Sequence, residues 1–328
     1  MDSKKEVYKI LSRYQSASTK KAMTSVCIAL IGFVTSLFVS AELYATNNIA
    51  LSISICATAV FMCRFFAFVH DAGHYSLFKQ KWLNEVIGTI CGFFILIPFG
   101  LWQNIHRMHH SSFANLNKRH NNPELWTLTL AEYNASSSPK KLAYRVLRSS
   151  FIRVFIDPIS IIVLARIPHR KLSVKANIYV TLTNFVYALL VWYFIQNEIF
   201  LQFALTYLLA AYFFLSFATI IVYLQHQFED SHWYEDEDWN IYDASIHGAS
   251  YLKFGSFMRW LTGNVGFHHI HHLNPNIPFY NLPAANQNVI DIIKTKPIKL
   301  LELNKHLRSK LWDEKNKRLV GIPKTELE

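Results

Sequence analysis

The sequence predicts an all-α integral membrane protein, and three features carry that prediction. Hydrophobic residues make up 52% of the 328 residues. Charged residues make up only 17%, against about a quarter in a typical soluble domain. Several stretches long enough to cross a bilayer contain no charge at all. Because the hydrocarbon core offers no water to backbone amides, segments that cross it must be helices.

Four segments are predicted to be transmembrane helices. Three are built around runs without a charged residue, and the second contains one charge, Arg64, near its end. The first follows a polar head, residues 1–21. It lacks the short apolar core and small-residue exit of a cleaved signal peptide, so we interpret it as a retained anchor. The predicted spans are residues 22–43, 49–69, 177–195 and 199–224.

The basic residues predict which parts of the chain face the cytoplasm. The two short loops between paired spans, 45–48 and 196–198, contain no Lys or Arg, whereas the head contains six basic residues. By the positive-inside rule the head, the middle section and the tail, residues 291–328, are cytoplasmic. The net charge of +11 is therefore mainly a topology signal. A nucleic-acid partner is not predicted, since the basic residues are not concentrated in one soluble module.

Two further apolar stretches are predicted to lie in the interface or to re-enter the membrane. Residues 86–102 separate two histidine clusters, and a single crossing would place these clusters on opposite sides. The stretch is too short to cross twice. Residues 151–167 contain Arg153, Asp157 and Pro158, which favours an interfacial helix.

Most of the fifteen histidines fall in four places, each directly after an apolar segment. Residues at i, i+3 and i+4 of a helix share one face, so HxxxH and HxxHH each direct two or three imidazoles to one point. Nine such neutral nitrogen ligands exceed the needs of one tetrahedral zinc and suit two redox-active metal ions. A cytoplasmic helical cap holding this two-metal site completes the predicted fold. The nine candidate ligands are His70, His74, His106, His109, His110, His226, His268, His271 and His272.

Other polar residues lie close to these clusters in sequence. Asn264, predicted one helical turn before His268, is a candidate to bind a metal through water or to support a ligand. His269 points off the shared face and is interpreted as a supporting or packing residue. Asp71, Asn104 and Glu229 could satisfy ligand N–H groups or could be ordinary surface residues. The isolated histidines, predicted to lie on the surface, are His120, His169, His232, His247 and His306.

Four basic residues have two possible roles. They could meet an acidic electron donor or a lipid phosphate, or they could be interfacial charges of the kind that the positive-inside rule describes. We favour the second interpretation. The residues are Arg64, Arg107, Lys118 and Arg119.

The ordered motifs "HDAGH", "HRMHH" and "HHIHH" resemble the three histidine boxes of the membrane fatty acid desaturases. The phrases "YLQHQFED", "WTLTLAEY" and "TGNVGFHHIHHLNPNIPFYNL" resemble segments of acyl-lipid desaturases of the delta-12/omega-6 branch and their bacterial relatives. The resemblance covers roughly residues 20–290, which implies a membrane desaturase domain over 22–290.

This resemblance implies a specific oxidoreductase. It implies that the nine histidines bind two iron ions, that O2 is the oxidant and that the substrate is an acyl chain of a membrane lipid. No "HPGG" motif of a fused cytochrome b5 is present, so we expect a separate donor, either ferredoxin or cytochrome b5 with its reductase. The active site is expected on the cytoplasmic side of a bacterial inner membrane or an ER membrane.

Two alternatives share parts of this pattern. A lipid or carotenoid hydroxylase of the same superfamily would have the same boxes. A histidine-rich metal transporter would place its ligands near the bilayer midplane, whereas the four predicted spans contain no histidine. This favours an oxidase over a transporter.

Overall fold

A computed structural model describes residues 2–46, 48–119, 126–308 and 310–323. Four helical segments of this described part are long and apolar enough to cross a membrane. They are Thr19–Leu43, Ile49–Gly73, Val174–Gln196 and Phe200–His226. The predicted all-α membrane fold with four spans is therefore confirmed.

Helices form most of the described chain. The helices are α1 (Asp2–Ser12), α2 (Thr19–Leu43), α3 (Asn48–Gly73), α4 (Lys81–Phe94), α5 (Phe99–Ser112), α6 (Leu130–Ala135), α7 (Ser138–Leu147), α8 (Asp157–Leu164), α9 (Val174–Gln196), α10 (Phe200–Phe203), α11 (Leu209–His226), α12 (Ile241–Gly248), α13 (Ser256–Leu261), α14 (His268–Leu273), α15 (Leu282–Ile293) and α16 (Leu303–His306). A π-helical turn, Ala204–Leu208, joins α10 to α11 to make the last span.

Polar side chains and aromatic rings hold α2 against α3. The Thr58 hydroxyl donates to Ser36 Oγ at 3.0 Å, and the Ser40 hydroxyl donates to Ser54 Oγ at 2.9 Å. The rings of Phe33 and Phe65 lie 5.0 Å apart. Such contacts suit a membrane interior, where lipid tails leave little hydrophobic drive for helix association.

The helices α4 and α5 meet at a bend of 102°. Helix C-terminal carbonyls are left without intrahelical partners, and here neighbouring side chains bind them. Tyr187 donates to the Phe93 carbonyl at 2.5 Å, Tyr207 to the Phe94 carbonyl at 2.7 Å and Arg166 to the Leu96 carbonyl at 2.6 Å. These contacts allow an irregular turn among apolar helices.

The bend keeps the first two histidine clusters together. The rings of His74, after α3, and His106, on α5, lie 4.8 Å apart. Although residues 86–102 separate these clusters in sequence, they do not separate them in space. The re-entry of this bent pair into the membrane stays a prediction.

Residues 151–167 run along α11. A π-helical turn, Ile152–Ile156, leads into α8, and Arg153 pairs with Asp157 at 2.8 Å. The Thr219 hydroxyl on α11 donates to the Arg153 carbonyl at 3.0 Å. The side chain of Phe151 is exposed, and the interfacial position of this segment stays a prediction.

Two small sheets in the described residues were not predicted. Their strands are β1 (Leu128–Thr129), β2 (Tyr251–Lys253), β3 (Pro297–Lys299), β4 (Leu311–Asp313) and β5 (Arg318–Val320). One sheet has the order β1–β4–β5, with β1 and β4 parallel, and the other pairs β2 with β3 in parallel. Strands of two or three residues are too short to show an alternating pattern in sequence.

Candidate metal centre

Eight of the nine predicted ligands form two groups, and within each group the candidate ligand atoms all lie within 4.8 Å of one another. The ninth, His110, lies between the groups, with Nε2 3.2 Å from that of His106 and 2.9 Å from that of His271. Its ring also stacks on that of His272 at 4.3 Å. The first group is His70, His74, His106 and His271, and the second is His109, His226, His268 and His272.

The helices position these side chains through their ends. His70 belongs to the last turn of α3, His226 ends α11, and the second box lies on one face of α5. The third box forms α14, a helix of only six residues that ends at Leu273, shortly before Pro275. The first box, the second box and His226 thus lie where an apolar helix reaches its polar end, whereas the third box follows a turn.

Two glycines allow the third box to approach its neighbours. Gly263 has φ +60°, and a Cβ at this position would lie 2.5 Å from the Cβ of Ala67 on α3. A Cβ on Gly266 would lie 2.4 Å from the Leu252 carbonyl oxygen in β2. Only glycine fits such positions without displacing the backbone. The turn therefore packs against the helix that carries the first box.

The donor set fits metal ions. Burial lowers the pKa of His268, His271 and His272 well below the usual histidine range, and neutral imidazole is the form that binds metal. The Nε2 atoms of His226 and His272 both lie 2.9 Å from that of His268. Neither group contains a carboxylate or a thiolate among the described residues. All-imidazole sites of this kind suit iron, copper or zinc.

Three polar residues singled out in the sequence make their side-chain contacts outside the two histidine groups. Asn264 is not on a helical turn before His268, because α14 begins at His268 and Asn264 has φ +58°. Its amide donates to the Phe279 carbonyl at 3.0 Å. Asn104 accepts from the Ser173 N–H at 3.2 Å. Glu229 pairs with Lys305. No contact recorded for these side chains in the described structure reaches a candidate ligand.

The other histidines divide into exposed and buried residues. His269 faces away from both groups, with Nε2 3.0 Å from Asn286 Oδ1. His169 and His247 are exposed, and His232 is half-buried. The prediction of a surface position is wrong for His306, which is 7% exposed and accepts from the Glu229 N–H through Nδ1. His120 lies outside the described residues.

The basic residues differ from one another as well. Arg64 is 2% exposed and donates to the Trp260 carbonyl and to Ser25 Oγ, so it is available neither to a donor protein nor to a lipid headgroup. The interfacial interpretation is therefore wrong for this residue. Lys118 pairs with Asp236 at 3.3 Å and Arg119 with Glu132. Arg107 is exposed.

An apolar cavity adjoins the first group. His70 and Gln225 line it, and most of its other lining side chains are apolar residues on one face of α3 and one face of α11. Trp102, on α5, packs against the lining residue Phe66 with ring centroids 4.8 Å apart and stacks on His106 at 4.6 Å. The helical spacing of these lining residues could be read from the sequence, but the sequence did not show that these faces of α3 and α11 would oppose each other.

Comparison with known proteins identifies relatives of this chain. Residues 47–300 match the family model described as fatty acid desaturase. The fatty acid desaturase of Bacillus subtilis (strain 168) is 31% identical over 97% of this chain and 90% of its own.

Two further relatives have more specific names. The sn-1 acyl-lipid omega-3 desaturase (ferredoxin) of Nostoc sp. (strain 36) is 26% identical over 67% of this chain and 62% of its own. The chloroplastic omega-6 fatty acid desaturase of Spinacia oleracea is 24% identical over 82% of this chain and 59% of its own. With the three boxes gathered around one buried centre, and with a family match over most of its length, the chain belongs to the fatty acid desaturase family.

Proposed function

We propose that the protein is a di-iron, O2-dependent desaturase that introduces a double bond into an acyl chain of a membrane lipid. The observation that carries this proposal is that His70 adjoins both the histidine centre and the apolar cavity. It belongs to the first histidine group and also lines the apolar cavity between α3 and α11. A metal at the first group would therefore stand at the end of a space suited to methylene groups.

The cavity explains how the chain could bind such a substrate. From Cys63 to His70 and from Phe214 to Gln225, its walls follow two helices toward the histidines. At 1.5 Å per residue these walls are about 10 Å and about 16 Å long. An acyl chain that moves from the lipid tails into such a space exchanges one apolar environment for another, so it enters without a desolvation cost, and apolar walls exclude water.

The chemistry that two bound iron ions would supply is the O2-dependent removal of two hydrogens from adjacent methylene groups. The nine histidines would hold the ions, and the walls on α3 and α11 would determine which methylenes lie beside His70. Reducing O2 fully to water requires two further electrons and two protons. A separate protein would deliver the electrons, either a ferredoxin, as in the name of the Nostoc relative, or cytochrome b5 with its reductase. We place the centre on the cytoplasmic side, because the basic head and tail should remain there.

Product analysis tests this proposal. We expect a host that contains saturated and monounsaturated lipids to accumulate a new double bond when it expresses the chain, and only in the presence of O2. His271→Ala should lose iron and activity, because His271 belongs to the first group. The matched control is His247→Ala, at an exposed histidine, which should retain both.

Two results would contradict the proposal. One is the absence of any new double bond from folded, iron-loaded protein supplied with a donor. The other is full activity of His271→Ala. A hydroxylated acyl product would instead identify the related hydroxylase reaction, which the same ligands could support.

A further inference from the structure

One carboxylate touches the candidate metal centre. Asp71 is 2% exposed, and its Oδ1 lies 3.1 Å from Nδ1 of His70. An ionised carboxylate can only accept hydrogen bonds, so Nδ1 of His70 must carry the proton. Nε2 of His70 is buried and has no hydrogen-bond partner among the residues that the structure describes. Its lone pair is thus free to bind a metal in the first group.

This partnership distinguishes His70 from the other candidate ligands. Among the described residues, Asp71 is the only carboxylate recorded in contact with any of the nine. His226 donates from Nδ1 to the Gly248 carbonyl at 3.0 Å, a neutral partner. Within the described part of the chain, the Nδ1 atoms of four candidate ligands are buried without a hydrogen-bond partner; they are His109, His268, His271 and His272.

Asp71 also ties the first box to the segment after the third. Its Oδ2 accepts the backbone N–H of Phe279 at 2.6 Å. Its backbone carbonyl accepts the N–H groups of His74 and Ser76 at 3.1 and 3.0 Å. Two turns earlier on α3, Arg64 donates to the Trp260 carbonyl. Side chains of one helix therefore hold the chain on both sides of the third box.

We propose that Asp71 is the positioning residue of the first metal position. It fixes the tautomer and the ring direction of His70, and it supplies the negative charge that the neutral imidazoles lack. A carboxylate that accepts from a ligating histidine raises the basicity of that ligand, and its loss weakens metal binding by about 10–100-fold. This inference rests on the metal centre of the proposed function, but not on which acyl chain is oxidised.

Metal binding alone tests the proposal. Purified full-length apoprotein is titrated with Co²⁺ against a competing chelator, and its visible Co²⁺ spectrum is recorded. Asp71→Asn keeps the side-chain volume but removes the charge. We expect its tightest site to bind Co²⁺ about 10–100-fold more weakly, with a changed spectrum. A defect in desaturation itself would leave this measurement intact, so the two proposals fail separately.

Glu85→Gln is the matched control. The Glu85 carboxylate accepts from Tyr75 at 2.5 Å, Lys175 at 2.8 Å and Tyr179 at 3.0 Å, and no contact with a candidate ligand is recorded for it in the described structure. Glu85→Gln removes a hydrogen-bonded carboxylate near the first box, and none of the partners of that carboxylate is a candidate ligand. We expect wild-type Co²⁺ affinity and an unchanged spectrum for this variant.

Asp71→Glu separates charge and position from a general loss of structure. It retains the carboxylate but moves it by one methylene, so its Co²⁺ affinity should lie between those of Asp71→Asn and wild type. Wild-type binding by Asp71→Asn would overturn the proposal, as would Asp71→Glu binding no better than Asp71→Asn. If Asp71→Asn does not fold, wild-type affinity together with a wild-type spectrum in Asp71→Glu would overturn it.

Discussion

The two histidine groups differ in their surroundings. In the first, the side chain of His70 is 12% exposed, lines the apolar cavity and contacts Asp71. In the second, His268 and His272 are 3% and 1% exposed, and His226 contacts a backbone carbonyl. A pair of equivalent metal positions would show no such asymmetry. Under the proposed function, this difference places the substrate at the first group, while the second would complete the centre from the interior.

The largest expected effect concerns the cavity. Ala218 lines it on α11, and Ala218→Phe would fill part of the space needed by an acyl chain. We expect desaturation to fall by about 10–100-fold while iron content is unchanged, as measured by fatty-acid analysis and metal analysis of the same preparation.

The control for this prediction is Leu209→Phe. Leu209 is on the same helix but is exposed at its outer surface, so this variant should keep wild-type activity. Undiminished desaturation by Ala218→Phe would show that the substrate does not pass through this cavity, and the functional distinction between the groups would be lost.

A smaller effect is expected at the turn before the third box. Gly263→Ala places a methyl group 2.5 Å from Ala67 Cβ at a residue with φ +60°. A left-handed alanine costs about 1–2 kcal/mol, and the clash adds to this, so the melting temperature should fall. Because the third box contributes to both groups, Co²⁺ affinity should fall at both positions.

Gly255→Ala provides the comparison for Gly263→Ala. A Cβ at Gly255 would meet nothing within 4 Å, so melting and metal binding should be unchanged. If Gly263→Ala lowers affinity at only one position, the two groups depend on the third box to different degrees.

The smallest effect is expected far from the cavity, on α12, which packs against α14. Lys4 pairs with Asp243 at 2.8 Å. Burial raises the pKa of Asp243, but hydrogen bonds from Lys4 and Asn240 outweigh burial and lower it overall. A lowered folded-state pKa contributes stability above the unfolded pKa of about 3.9. That stability is lost as the pH falls through the folded pKa.

Asp243→Asn should therefore release α1 slightly at neutral pH. The cost should be about 0.2–1 kcal/mol, because the pair is partly exposed and screened by solvent. Limited proteolysis of the head at pH 7 and at acidic pH measures it, and the difference from wild type should disappear in acid. Altered Co²⁺ binding in this variant would show that α12 controls the second group more strongly than its packing suggests.

The sequence determined the parts of this protein that depend on local physics. Runs without charge specify the spans, because backbone amides in a bilayer must form helices. The spacing of HRMHH and HHIHH places imidazoles on one helix face. These patterns were sufficient for the fold class and for a set of nine candidate ligands, eight of which fall into the two groups.

Only the tertiary structure decided how these parts combine. The pairing of His109 with His272 joins positions 163 residues apart, and no local pattern specifies which histidines share a group. Tertiary packing also decided the burial of Arg64 and His306, since their partners, Trp260 and Glu229, are distant in sequence. Local spacing fixes the direction of a side chain on its own helix, whereas the packing of α3, α5, α11 and α14 fixes what that side chain meets.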